Sequence, residues 1–395
     1  MIMKNQILFY LFVIVPFFFS CNNKQKERLT LADCPVIAHK TDSLITLDFS
    51  SVRDTFNVPL SLFLSDYEII RLENSEEAMV GHSYAFAVSE NYIGLYNSNL
   101  KDYKLFNRKG KYIRSISSAG QGPDEYYIAI YDSYIDEENG RIYLLSYRAN
   151  KLLVFDLEGK PLQHIPFPFP VHKGRFRINA KKKELTMMAL PFIDTPFVVW
   201  RQDFEGNILQ SINAGHFVID PGDYSNDVNY SQNTSLLDFS LFHWGPIMDS
   251  IYHYNEQGNV LEPVFTVKWK DQNIVRHDYA ELPTHYFIRL IGEGASWDGT
   301  VPRSPLIIVD KNSLQGCYAN LKFNMLGNID GPSYVTFNRG YCIANMFPYE
   351  LKEQLEKALS KSEKMTPEMK DKLMKLNNSL TEDDNNVLFI GKLKQ

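Results

Sequence analysis

Cysteine is scarce, with four in 395 residues. Cys21, Cys34, Cys317 and Cys342 form no CxxC pair, so neither a zinc framework nor a disulfide scaffold follows from their spacing. Charge of one sign is also lacking, since 41 Lys and Arg stand against 47 Asp and Glu for a formal net charge of −6. A chain without a basic field has little to hold nucleic-acid phosphates, which excludes DNA and RNA as expected partners. The catalytic signatures are missing too. The nine histidines include no H-E-x-x-H, no serine sits in G-x-S-x-G, and no glycine loop has the G-x-x-x-x-G-K-[ST] spacing of a phosphate cradle. No metal and no cofactor are therefore expected, and the sequence speaks more to architecture and address than to chemistry.

Apolar and aromatic residues are plentiful: 44% hydrophobic, with 23 Tyr and 26 Phe. Such side chains suit the pleated surface of strands, and all-β rings use this length as a single domain. The first twenty residues read as an export signal, with Lys4 as the basic n-region, Ile7 to Phe19 as the apolar stretch and Ser20 as the small residue before Cys21. At about 13 residues that stretch falls short of the roughly 20 a spanning helix needs. Phe18-Phe19-Ser20-Cys21 resembles a bacterial lipobox, which implies lipidation of Cys21. It departs by having Phe18 in place of Leu and Phe19 in place of a small residue, and plain secretion or an uncleaved anchor are the alternatives. Residues 21–43 then form a tether and lead-in, of which Asn22 to Arg28 is too polar to bury.

Beyond the lead-in lie the short β-type runs Leu44 to Phe49 and YEIIRL at Tyr67 to Leu72, and from Tyr84 a regular pattern begins. AFAVSE, YIGLYN and YKLFNRKGKYIRSI supply four strands. The last of these, a strand, a turn and a strand, recurs as LLVFDLEGKPLQHI, VVWRQDFEGNILQSI and IYHYNEQGNVLEPV. Each carries a turn glycine, Gly110, Gly159, Gly206 and Gly258, thus 49, 47 and 52 residues apart. A tight hairpin favours glycine because it adopts positive φ without a Cβ penalty. The same period points near residue 308, where the polar turn Asp310-Lys311-Asn312-Ser313 lacks glycine but still separates two strands. A period near fifty suits a four-stranded propeller blade. Six blades are expected, starting near Tyr84, Tyr127, Arg175, Leu236, His285 and Ser333. The last is short of a strand, so YEIIRL is expected to complete it and close the ring, removing exposed edges. Two amphipathic helices, Tyr349 to Leu359 and a second capped by Thr366 and opened by Pro367, are expected as an insertion over about 349–380, bridging two strands with a partial cap. Cys317 and Cys342 are read as either a disulfide or two buried thiols.

Gly120-Gln121-Gly122-Pro123-Asp124-Glu125-Tyr126, the NHL-like KLLVFDLEGKPLQHI and the closing stretch from Glu382 to Lys394 together carry a resemblance. The chain resembles the six-bladed β-propeller lipoproteins of Gram-negative bacteria, related to NHL-repeat and TolB-like propellers. The closing stretch departs in having Asn386 where that family usually has Pro. The resemblance implies an all-β, six-bladed propeller over 44–395 and a cell-envelope, outer-membrane address on either the periplasmic or the surface side. It implies no activity.

Two readings of function remain. In the first the lipid-anchored disc is a monomeric, non-enzymatic binding module for a glycan, a peptide or an envelope protein. Its expected channel-mouth residues are His243, Trp244, His285, Arg289 and Trp297, with Trp200 and Trp269 as further aromatic candidates that strand spacing assigns to the core. In the second it is a hydrolase or lyase of exported carbohydrate, with His243, His285 and Arg289 converging at one mouth. The loop Gly120, Gly122, Pro123, Glu125 and Tyr126 is weighed as a polar-ligand loop and read as a structural connector, with glycines for unusual φ and Tyr126 for packing.

Overall fold

The computed structural model describes residues 31–395 apart from 193, 220–223, 271–272, 293–304 and 362–364. The expected signal segment 1–20, Cys21 and Trp297 lie outside the described residues. Alternating apolar residues first build four strands in the lead-in: β1 (Ala38–Thr41), β2 (Leu44–Asp48), β3 (Thr55–Pro59) and β4 (Leu64–Arg71). Blade I then comprises β5 (Ser83–Val88), β6 (Tyr92–Asn97), β7 (Asp102–Asn107) and β8 (Tyr112–Ser118). Blade II comprises β9 (Ile130–Asp136), β10 (Arg141–Ser146), β11 (Ala149–Asp156) and β12 (Ile165–Val171). Blade III comprises β13 (Gly174–Asn179), β14 (Glu184–Ala189), β15 (Phe197–Asp203) and β16 (Ile208–Asn213). Blade IV comprises β17 (Asp227–Asn229), β18 (Asp238–Phe242), β19 (Ser250–Asn255) and β20 (Val260–Lys268). Blade V comprises β21 (His277–Glu281), β22 (His285–Leu290), β23 (Leu306–Asp310) and β24 (Gly316–Lys322). Blade VI holds β25 (Thr336–Asn338), β26 (Tyr341–Met346), the helices α1 (Pro348–Ser360) and α2 (Pro367–Ser379), and β27 (Val387–Leu393).

The six sheets form a propeller, and blade VI takes β4 as its fourth strand. β4 runs antiparallel to β27 from Arg71↔Val387 to Leu64↔Leu393, so YEIIRL closes the ring as its alternation suggests. Six apolar clusters fill the six spaces between neighbouring blades, for example Ile93, Leu95 and Phe106 of blade I against Leu388 and Ile390 of blade VI. Each fully buried side chain of this kind contributes about 1.5–3 kcal/mol. The helices join β26 to β27 and press Leu351, Leu355 and Leu373 into the cluster between blades V and VI. Thr366 caps α2, its hydroxyl accepting from the Met369 N–H at 3.2 Å.

Several local expectations are corrected. The first strands of blades IV and V are β17 and β21, so Leu236 stands before a second strand and His285 opens one; β17 is only three residues long and leaves little period to read. Gly258 does not take positive φ, because Asn259 at φ 52° does so instead. The recurring turn rests on the residue three positions earlier: Asn107, Asp156, Asp203, Asn255 and Asp310 each accept backbone N–H groups of their own turn. Blade V thus keeps its turn without glycine. Cys317 and Cys342 are buried thiols outside any disulfide, as is Cys34, and the Cys317 thiol is hydrogen-bonded with Cys34.

The lead-in is also more than a tether to the ring. β2 pairs parallel with β20, the outer strand of blade IV, and β3 pairs parallel with β24, the outer strand of blade V. β1, β2, β3 and β4 therefore lace three consecutive blades around their rim.

Candidate functional site

Within each blade the strands alternate in direction, so one face of the ring collects the blade-to-blade connections and the loops between second and third strands. The other face collects the tight turns. The helices stand on the connection face because they replace the second-to-third loop of blade VI.

The turn face is closed by one side chain. Arg339, in the turn after β25 of blade VI, reaches across the axis to the opposite side. Its guanidinium donates to Asp132 Oδ2 at 3.3 Å, to the Phe176 carbonyl at 3.1 Å and to Gln232 Oε1 at 2.7 Å. The rings of Tyr134, Phe176 and Tyr230 surround it at 4.8–5.5 Å, and the Tyr230 hydroxyl donates to Asp132 Oδ2 at 2.9 Å.

The connection face is rich in accessible aromatic surface. Tyr84, Tyr127, Tyr224, Tyr334 and Tyr349 are each 43–60% exposed. A continuous run of rings crosses blades II to IV: Tyr131 and Tyr147 lie 5.9 Å apart, Tyr147 and Tyr224 6.4 Å, and Tyr224 and Phe192 4.9 Å. Two cations sit on Tyr131, the Lys173 ammonium and the Arg175 guanidinium, both 5.6 Å from its centroid. Lys173 also donates to the carbonyls of Tyr224 and Asn226, which fixes the start of β17.

His243 and Trp244 lie on this face, in the loop after β18. Arg276 stacks over the Trp244 ring at 3.8 Å and donates from Nε to the Trp244 carbonyl at 2.8 Å. His243 Nε2 stands 4.0 Å from Asp249 Oδ2. Burial pushes the Asp249 carboxyl up to about 7 against the opposing N–H groups of Ser250 and Leu241. Nearby, burial drives His277 down to about 4, with its Nε2 2.8 Å from the Tyr279 hydroxyl. Neither Asp249 nor His277 carries a local signal, because blade packing creates their surroundings.

Arg289 lies near the connection-face end of β22, 4.0 Å from the Tyr334 ring and 3.6 Å from Asp278. Burial raises the Asp278 carboxyl while Arg289 pulls it down. Both line a cleft of about 470 Å³ between blade V and the connection into blade VI, together with Thr55, Asn320 and Ser333. His285 is elsewhere. It opens β22 on the turn face, roughly 13 Å along the strand from Arg289, with its Nδ1 2.7 Å from Thr284 Oγ1 and its Nε2 3.4 Å from Asp310. The single mouth of His243, His285 and Arg289 is thus not assembled.

The loop from Gly120 to Tyr126 connects blades I and II. Glu125 turns back to accept the Gly122 N–H at 2.7 Å, and Tyr126 is buried with its hydroxyl on the Lys101 carbonyl. Neither glycine takes positive φ. A Cβ at Gly120 would meet the Glu125 carboxylate at 1.9 Å, which the glutamate side chain can relieve only by moving. Pro123 offers its carbonyl to the Lys151 ammonium. Trp200 and Trp269 are buried between blades. Among the described residues no group of three or more His, Cys, Asp or Glu gathers as a metal site.

The chain is similar to a Bacteroides fragilis protein thought to be exported, with 14% identity, 87% of this chain and 100% of that one covered, and a TM-score of 0.55. At that identity the likeness speaks for the fold alone. Kuenenia stuttgartiensis hydrazine synthase shares 12% identity over 58% of this chain and 64% of its own with a TM-score of 0.39. A DUF4221-family member from Bacteroides vulgatus shares 12% over 84% and 97% with a TM-score of 0.42. No curated protein matches the chain. Residues 44–392 match the family described as a domain of unknown function, DUF4934, and the chain belongs to it.

Proposed function

We propose that the protein is a binding module of the cell envelope, anchored through a lipid on Cys21 and offering its connection face to a glycan, a peptide or a partner protein. The observation that carries this reading is the asymmetry of the ring. The turn face is plugged by Arg339, whereas the connection face exposes five tyrosines beside buried charges. Rigid scaffolds place ligand sites in such loops and mouths. The export-signal pattern of Lys4, the apolar run Ile7 to Phe19 and Ser20 before Cys21 supports the address.

The test is hydrogen exchange of the soluble Cys21→Ala chain with and without envelope polysaccharide and peptide extract. Protection is expected in 98–101, 119–129, 243–249 and 323–335. Protection on the turn face, or none, overturns the reading. Fatty-acid labelling of wild type against Cys21→Ala checks the anchor, and equal labelling rejects it.

The His243–Asp249 pair favours a second reading, hydrolysis or elimination on an exported carbohydrate. Turnover of a defined glycan that Asp249→Asn abolishes would replace the first reading with this one.

A further inference from the structure

We infer that the cleft between blade V and the connection into blade VI binds a neutral saccharide. The inference deepens the binding reading given above and rests on it. The cleft measures about 470 Å³, within the roughly 300–1,000 Å³ typical of small-ligand pockets. β21, β22, β23 and β24 make its floor, so its polar groups stand on a rigid sheet, and the stretch before β25 makes its far wall.

The lining chemistry selects the ligand. Arg289 is already held 3.6 Å from Asp278, and its guanidinium face is covered by Tyr334. At the same wall Lys322 is paired with Asp330. With each of these cations matched by a carboxylate among the described residues, a phosphate or a uronic acid would enter without a counter-charge and lose more solvation than it regains. An extended peptide cannot add to β24, whose outer edge is taken by β3 from Thr55 to Pro59. What remains are uncharged polar groups of the lining: the exposed Asn320 amide and the exposed hydroxyls of Thr55 and Ser333. Amide side chains accept and donate in pairs, which matches the neighbouring hydroxyls of a sugar ring.

Tyr334 borders the cleft rather than lining it. It stands between the lining residues Ser333 and Val335, is 58% exposed, and has Arg289 against it at 4.0 Å. The rest of the ring offers a flat apolar surface for the C–H face of a pyranose. A saccharide is amphipathic in the way this cleft is, with hydroxyls around its edge and hydrocarbon on its face.

The experiment is titration calorimetry of the soluble Cys21→Ala chain with cellotriose, maltotriose, mannotriose, xylotriose and the acidic trigalacturonate. At least one neutral trisaccharide is expected to bind with a Kd between about 10 μM and 1 mM. Asn320→Ala and Tyr334→Ala should each weaken it by about tenfold, which is roughly 1.4 kcal/mol. Lys109→Ala, exposed in the turn between β7 and β8 on the opposite face, should leave it unchanged. Both tested side chains are exposed, so equal melting temperatures will show that the variants fold. The inference falls if no neutral trisaccharide binds, if trigalacturonate binds better, or if the two substitutions leave affinity intact. Connection-face protection by envelope extract without any neutral-saccharide binding would remove this inference and keep the binding reading. Loss of both would remove both.

Discussion

Asp249 ends the loop that carries His243 and Trp244, and its carboxyl accepts the Leu241 N–H at 2.8 Å. Burial lifts it to about 7, whereas an unfolded carboxyl titrates near about 3.9. The folded state therefore holds this proton more tightly, so its contribution to stability falls as pH rises from about 4 to 7 and stays low above that. His277 works in the opposite sense. With its imidazole driven down to about 4, it costs stability as pH falls from about 6.5 to 4. Asp249→Asn keeps an acceptor and removes the titration. The variant should exceed wild type in stability at pH 8 by on the order of a few kcal/mol, with the gap closing toward pH 4. Denaturant melts across that range decide it, and a gap independent of pH would refute the assignment. None of this was legible locally, because Asp249 and His277 come from two blades. The turn residues show the contrary case. Asn107, Asp156, Asp203, Asn255 and Asp310 act within four residues of themselves, so their spacing is visible in sequence even where the glycine is lost.

Among the elements, the lead-in strands add the most to what periodicity suggests. β1 and β3 are short and largely exposed, as expected of edge strands, and their pattern does not say where they pair. β2 and β3 find partners more than 200 residues away, on β20 and β24, and β1 pairs with β2. Leu47 is the anchor of β2, fully buried against Phe265 and Val267 in the cluster between blades IV and V. Leu47→Ala should cost about 2–5 kcal/mol and raise hydrogen exchange in β20 and β2 ahead of the remaining blades. Uniform exchange throughout the ring would show that the lace does not hold blade IV independently. The helices contrast with these strands. Their apolar stripe, the Thr366 cap and Pro367 were all readable, because helix signals are local. The surface they cover, between blades V and VI, was not.

At the scale of the whole molecule, Arg339 links blade VI to blades II, III and IV across the axis. Asp132 is nearly buried and relies on that guanidinium, the Tyr230 hydroxyl and the Phe176 N–H. Arg339→Met should cost about 3–5 kcal/mol, because it leaves a buried carboxylate without its cation. Adding Asp132→Asn should recover much of the loss. A double variant no more stable than the single would show that Arg339 acts by packing on its three aromatic rings instead. The repeat period, the six blades and the closure by YEIIRL were determined by sequence alone, since each follows from local alternation, turn chemistry and the need to cover strand edges. Tertiary structure alone decided which mouth is plugged, which carboxyls are buried, and that His285 and Arg289 lie at opposite ends of one strand. Those properties depend on which residues of distant blades meet around a common axis, and a linear pattern does not encode that meeting.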